Sequence, residues 1–401
     1  MPTSAPPTRD EVFSALGMID DPELGTDIVT LGMVPDISIT DDGAIDVTIK
    51  LTIGGCPLRS VIQREVTRVL ERHPGVSGVT VQWGEMTPDE RSATMAQARW
   101  NARSDAPTTS IPADCRVIAL ASGKGGVGKS SVTANLAIAL AGEGYTVGVL
   151  DADIWGFSIP RLLGMSTRME AERVENSDSP KIIPNRLTMG TGTLEVVSTG
   201  FLVDESTALM WRGPMLSKAV EQFLVDVAWG ELDYLLIDMP PGTGDVQMRL
   251  ARLLPQTGIV IITTPATAAQ KVAQRAADMA QRGFLPILGV IENMSAFTCD
   301  HGESYALFGS GGGAALAEAI DAPLLGSIPI EPAVAAGNDA GRPVVIDSDS
   351  PAAGEFVAIA RRLATDLADD DPTVGCATRL LDSVNAAFDD AEDDTARPVS
   401  T

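Results

Sequence analysis

From Arg116 onward, continuous apolar runs alternate with stretches of helical spacing. The runs are VIALAS (117–122), TVGVLDAD (146–153), LEVVSTG (194–200), YLLIDMP (234–240), GIVIITTP (258–265), ILGVIENM (287–294) and PLLGSIPI (323–330). Apolar strands separated by helices predict an α/β fold, a doubly wound, mostly parallel sheet covered on both faces. Ligands of such sheets bind at the carboxyl ends of strands, so the polar residues that follow the runs are placed for chemistry. The first part of the chain reads differently. Asp46–Thr52 alternates apolar and polar positions, as a half-buried strand does. Val61–Leu70 has helical spacing and runs into His73-Pro74-Gly75, a stop signal. Gly78–Trp83 is a further strand. These elements predict a small α+β domain over residues 1–85, with a Pro-rich lead. Residues 86–112 are polar with prolines near each end, and predict a linker with a short helix. The large domain is expected over 113–365. The tail, 366–401, is acidic (LADDD, FDDAEDD) and is expected to be disordered apart from a short helix near 379–388.

Composition narrows the possible partners. The formal net charge of −25 repels nucleic acid and anionic membrane surfaces. No segment has the roughly 20 apolar residues of a membrane helix. The start, MPTSAPPTRDE, has neither a basic region nor an apolar run. A cytoplasmic protein with neither nucleic-acid nor membrane partners is expected. Cys56, Cys115, Cys299 and Cys376 are widely spaced, which suits free thiols or metal ligands rather than a disulfide framework. Cys115, just before a sheet strand, reads as structural, and Cys376 lies in the acidic tail.

Residues 123–130, GKGGVGKS, match G-x-x-x-x-G-K-[ST] between a strand and the helix-like SVTANLAIALA. Gly123, Lys124, Gly125, Gly126, Val127, Gly128, Lys129, Ser130 and Ser131 are therefore expected to hold the phosphates of ATP. Glycines let successive N–H groups turn toward the anion, and the helix N-terminus adds partial positive charge. Lys129 is expected on the β/γ-phosphates and Ser130 on Mg²⁺. Asp238 ends the strand YLLID, where a carboxylate holds Mg²⁺ through water. The following PPGTGD (240–245) has the look of a switch loop, with Gly242 sensing the γ-phosphate. Asp153 ends TVGVLDAD and is the candidate to orient the attacking water. Asp151, at the same strand end, is the competing one.

The second loop lysine, Lys124, makes the stretch resemble the deviant Walker A family within the MinD/ParA-like superfamily. In that family two subunits face each other across two ATP molecules, and the resemblance implies that Lys124 reaches the partner's nucleotide. It also implies that Asn293 reads the adenine. DADIWGFSIPRLLG (151–164), GFLVDESTALMWRGPM (200–215), IDMPPGTGD (237–245) and IPIEPAVAAGNDAGRPVV (328–345) resemble the Mrp/ApbC family of iron–sulfur cluster carrier ATPases over about residues 115–365. DPELGTDIVTLGMV (21–34) and LTIGGCPLRSVI (51–62) resemble the small domain of iron–sulfur assembly factors. The resemblance implies a homodimeric, slow ATP hydrolase that takes a cluster from assembly machinery and passes it to apo-proteins. It also suggests a cluster-transfer role for Cys56, against which stands a buried small residue.

The chain departs from the family at one point. The family has C-x-x-C after N-M-S, whereas MSAFTCDHGESYALFG (294–309) keeps Cys299 and has Gly302 in the second position. Two readings stay open. Cys299 and His301 from two subunits supply four iron ligands, as mixed Cys/His sets do, or the protein is an ATP-switched dimeric scaffold or regulator that has lost its cluster site. A Min-type membrane ATPase or a ParA-type DNA partner requires basic surfaces, and the acidic composition opposes both.

Overall fold

A computed structural model describes residues 5–21, 26–52, 59–104, 108–154, 156–173, 179–202, 213–242, 245–282, 285–346 and 349–365. Cys56, Cys376 and the acidic tail lie outside the described residues. Contacts divide the chain into two compact units. One comprises residues 1–109, 248–257 and 280–285, and the other comprises 110–247, 258–279 and 286 onward.

The first unit opens with α1 (Arg9–Leu16), entered through a reciprocal cap in which Thr8 Oγ1 accepts from the Glu11 N–H and Glu11 accepts from the Thr8 N–H. Strands β1 (Asp36–Ile39), β2 (Ala44–Leu51) and β3 (Gly78–Glu85) form a sheet with β2 in the middle, antiparallel to β1 and parallel to β3. Alternation in β2 buries Ile45, Val47, Ile49 and Leu51. Helix α2 (Arg59–Leu70) adds Ile62, Val66 and Leu70 from one face. Residues 86–112 hold more order than a linker with a short helix, because α3 (Pro88–Ser104) runs for 17 residues. Its start is a capping box: Thr87 Oγ1 accepts from the Glu90 N–H, and the Glu90 carboxylate accepts from the Thr87 N–H. Pro88 follows at the first helical position. The helix buries Thr94 and Ala98, and the Thr94 hydroxyl donates to the Leu31 carbonyl at 2.9 Å.

From Arg116 onward the elements are β4 (Arg116–Ser122), α4 (Lys129–Gly142), β5 (Thr146–Asp151), α5 (Ile159–Leu162), β6 (Glu170–Glu172), β7 (Lys181–Ile183), β8 (Asn185–Met189), β9 (Gly192–Ser198), α6 (Gly213–Val225), β10 (Tyr234–Asp238), α7 (Asp245–Leu253), β11 (Gly258–Thr263), α8 (Thr267–Arg282), β12 (Ile287–Thr298), β13 (Ser304–Tyr305), α9 (Gly312–Ala319), β14 (Leu324–Ile330), α10 (Pro332–Asp339) and α11 (Pro351–Thr365), all in the second unit except 248–253 of α7 and 280–282 of α8. The sheet runs β13-β12-β11-β4-β10-β5-β9-β8, with β14 also on β12. All seven expected runs are strands, and their pairings are parallel. The antiparallel edges β8 and β13 and the small β6–β7 pair escaped the pattern because they are short and half-buried or exposed, so they carry no apolar run. Helix α4 is buried from Val132 to Ala141. It packs against α11 and strands of the sheet, which explains its apolar composition on every face.

Candidate functional site

The site grows from the centre of the sheet. Strand β10 lies between β4 and β5, and parallel register sets Asp238 beside Leu120 of β4 and Asp151 of β5. The 123–128 loop leaves β4 at this edge and feeds α4. Lys124, Gly125 and Gly126 are exposed, whereas Gly123 and Val127 are buried. Gly128 caps α4 with φ +81°, and a Cβ there would lie 2.2 Å from Asn293 Nδ2. Only glycine meets both demands.

Lys129 and Asp238 are 6% and 0% exposed, and their Nζ and Oδ1 are 2.5 Å apart. The Ser130 hydroxyl donates to Asp238 Oδ2 at 2.6 Å. Thr133, one turn beyond Lys129, donates to Asp238 Oδ1 at 3.1 Å. The structure thus gathers Lys129, Ser130 and Asp238 as expected and adds Thr133, which sequence reasoning missed. Its only signal was a hydroxyl inside the apolar SVTANLAIALA. The Ser130 hydroxyl and Asp238 carboxylate are hard oxygen donors side by side, the chemistry that suits Mg²⁺. Among the described residues no group of three or more His, Cys, Asp or Glu side chains is arranged to hold a metal.

The two aspartates after β5 separate by their partners. Asp151 is fully buried and accepts from the Ser158 N–H (3.1 Å), the Ile159 N–H (3.3 Å) and the Ser198 hydroxyl (3.1 Å). Burial, with the neighbouring Asp238 charge, pushes its carboxyl up to about 7 against the pull of Lys129. Asp151 therefore anchors the entry to α5. Asp153 is half-buried, with one oxygen accepting from the Gly156 N–H at 3.2 Å. Burial raises its carboxyl too, with Lys129 opposing. Gly242 (φ +90°) donates to the Ser122 carbonyl at 2.9 Å, which ties the start of the 240–245 loop to the end of β4. Asn293 Nδ2 donates to the Val127 carbonyl at 2.8 Å, so Asn293 braces the phosphate loop. The next residue, Met294, takes φ +59°, where the register of β12 against β14 also shifts.

Beyond that kink, β12 and β13 form a short antiparallel hairpin that carries Cys299 near its tip. The Cys299 N–H donates to Glu303 O and its carbonyl accepts from the Gly302 N–H. Gly302 has φ +82°, a left-handed turn position. Cys299 is half-exposed and His301 exposed, on the same turn. Cys115, by contrast, is buried, and desolvation followed by the Asp114 and Asp233 charges pushes its thiol up to about 12.

The family described as NUBPL iron-transfer P-loop NTPase matches residues 115–364. The chain belongs to this family. A second family, iron–sulfur cluster assembly protein, matches residues 9–83. Proteins named iron-sulfur cluster carrier protein are similar over most of the chain. The one from Mycobacterium tuberculosis is 44% identical over 362 residues, 88% of this chain and 92% of its own. The one from Synechocystis sp. is 39% identical, covering 89% of this chain and 97% of its own. Among solved structures, a nucleotide-binding protein from Archaeoglobus fulgidus in complex with ADP shares 38% identity with a TM-score of 0.50, covering 60% of this chain and 91% of that one. The sheet is mostly parallel, and no described helix is long and apolar enough to cross a membrane.

Proposed function

We propose that this protein hydrolyses ATP slowly and carries an iron–sulfur cluster from assembly machinery to apo-proteins, working as a homodimer in the cytoplasm. The observation that carries the ATP reading is the group of buried Lys129, Thr133 and Asp238 with half-buried Ser130 beside a glycine loop. When ATP binds, Lys129 exchanges the Asp238 carboxylate for phosphate oxygens; Ser130 and Asp238 are the residues that would hold Mg²⁺, and a cation there would neutralise phosphate charge. Asp153 orients the attacking water, the 240–242 turn reports the γ-phosphate through Gly242, and Lys124, exposed on the loop, reaches the partner's nucleotide. Asn293 reads adenine by exchanging its bond to the Val127 carbonyl. The relatives' names support the cargo. The exposed Cys299–His301 turn gives two potential iron ligands per subunit and four per dimer.

Two measurements test this. Lys129→Ala is expected to abolish phosphate release from ATP, and near-normal turnover would overturn the site. Anaerobic reconstitution with iron and sulfide is expected to yield a cluster in the unmodified protein and none in Cys299→Ala, with His301→Ala showing whether imidazole completes the set. ATP hydrolysis without a stable cluster would favour the scaffold reading, for which Gly302 in the second cysteine position is the supporting observation.

A further inference from the structure

The segment GNDAGRP (337–343) belongs to a stretch that resembles the carrier family, yet nothing above gives it a role. It ends α10, and it is stitched to the phosphate-loop helix. Asn338 Nδ2 donates to the Ser131 hydroxyl at 2.8 Å. One turn further along α4, the fully buried Asn135 donates to the Ser131 carbonyl at 2.8 Å and accepts from the Val345 N–H at 3.4 Å. From the other side, Gly341 (φ +67°) sits so close to Gly164, just past α5, that a Cβ on Gly341 would lie 2.5 Å from the Gly164 Cα. The backbone around Asn338 is therefore held from two directions, as a preorganised binding group requires.

The Asn338 amide is satisfied on one side only. Its Oδ1 is buried and has no hydrogen-bond partner among the described residues. Folded proteins leave few buried acceptors unpaired, and each exception calls for a partner. The missing partner has to be a donor. Phosphate oxygens do not qualify, since they only accept. Ser131 directly follows Ser130 in the first turn of α4, behind a loop of the kind that cradles α- and β-phosphates. Moving along a nucleotide from the α-phosphate, the first donors are the 2′- and 3′-hydroxyls of the ribose.

We propose that Asn338 is a nucleoside-recognition residue whose Oδ1 accepts a hydrogen bond from a ribose hydroxyl of ATP while its Nδ2 holds Ser131. This rests on the ATP reading above. It makes the protein selective for ribonucleotides through a residue more than 200 positions from the loop it serves.

The test compares binding of ATP, 2′-deoxy-ATP and 3′-deoxy-ATP to the full-length protein by calorimetry, with Asn338→Ala in parallel. The unmodified protein is expected to bind ATP about tenfold more tightly than at least one deoxy analogue, the loss anticipated when a buried acceptor keeps no donor. Asn338→Ala is expected to weaken ATP more than that analogue, so that the roughly tenfold preference between the two is lost. A purely structural role would weaken all three ligands alike, and that result would overturn the assignment. Equal affinity for the three nucleotides in the unmodified protein would overturn it without any variant. Failure of all three to bind would instead defeat the ATP reading itself, and this assignment with it.

Discussion

Gly128 concentrates two constraints in one residue. Its φ of +81° costs an L side chain on the order of 1–2 kcal/mol, and a methyl group there would displace the Asn293 amide that braces Val127. Gly128→Ala is expected to weaken ATP binding at least tenfold, measured by calorimetry, while far-ultraviolet circular dichroism stays unchanged. Cysteine chemistry is also decided residue by residue. Thiolate is the reactive form, and a thiol pushed up to about 12 holds roughly a thousandfold less of it at pH 8 than an ordinary exposed cysteine. Alkylation with iodoacetamide followed by peptide mapping is expected to leave Cys115 unmodified in the native protein and to label it fully in denaturant. Native labelling of Cys115 at the rate of Cys299 would contradict its burial.

At the scale of elements, α3 shows how a polar segment becomes a helix. Its mean hydropathy is low, and its order comes from the Thr87–Glu90 capping box and a narrow buried line through Thr94 and Ala98. Thr87→Ala is expected to remove about 1 kcal/mol from the helix start. Hydrogen exchange over residues 88–95 then rises about fivefold, and unchanged protection would mean that packing alone holds the helix. Helix α4 makes the opposite case. Burial on all sides erases its amphipathic signal, and its three buried polar residues bind elsewhere, Lys129 and Thr133 at Asp238 and Asn135 at the strap around Val345.

For the whole molecule, two families meet in one chain, with an assembly-type match at 9–83 and an iron-transfer NTPase match at 115–364. A net charge of −25 makes any association of two copies costly at low salt, so the proposed dimer depends on bound nucleotide and the exposed Lys124 to offset that repulsion. Lys124→Ala is expected to keep ATP binding within about threefold and to lose the ATP-dependent dimer, as read by light scattering after size exclusion. A dimer that persists in this variant would remove Lys124 from the interface.

The parallel sheet was legible from residue order alone because strands buried on both faces are written as unbroken apolar runs. The phosphate loop was legible because its eight residues are contiguous and each serves a backbone or charge requirement that few residue types meet. Asp238 was legible as the polar end of such a run. The tertiary structure decided what depends on register and on distant packing. Pairing of β10 with β5 puts Asp151 against Asp238 and makes Asp151 an anchor rather than a free carboxylate. A helical turn brings Thr133 to Asp238, and the return of the chain after β14 carries Asn338 to Ser131. A hydrogen bond between residues far apart in sequence leaves no local pattern, since either partner alone is an ordinary polar side chain until the fold supplies the other.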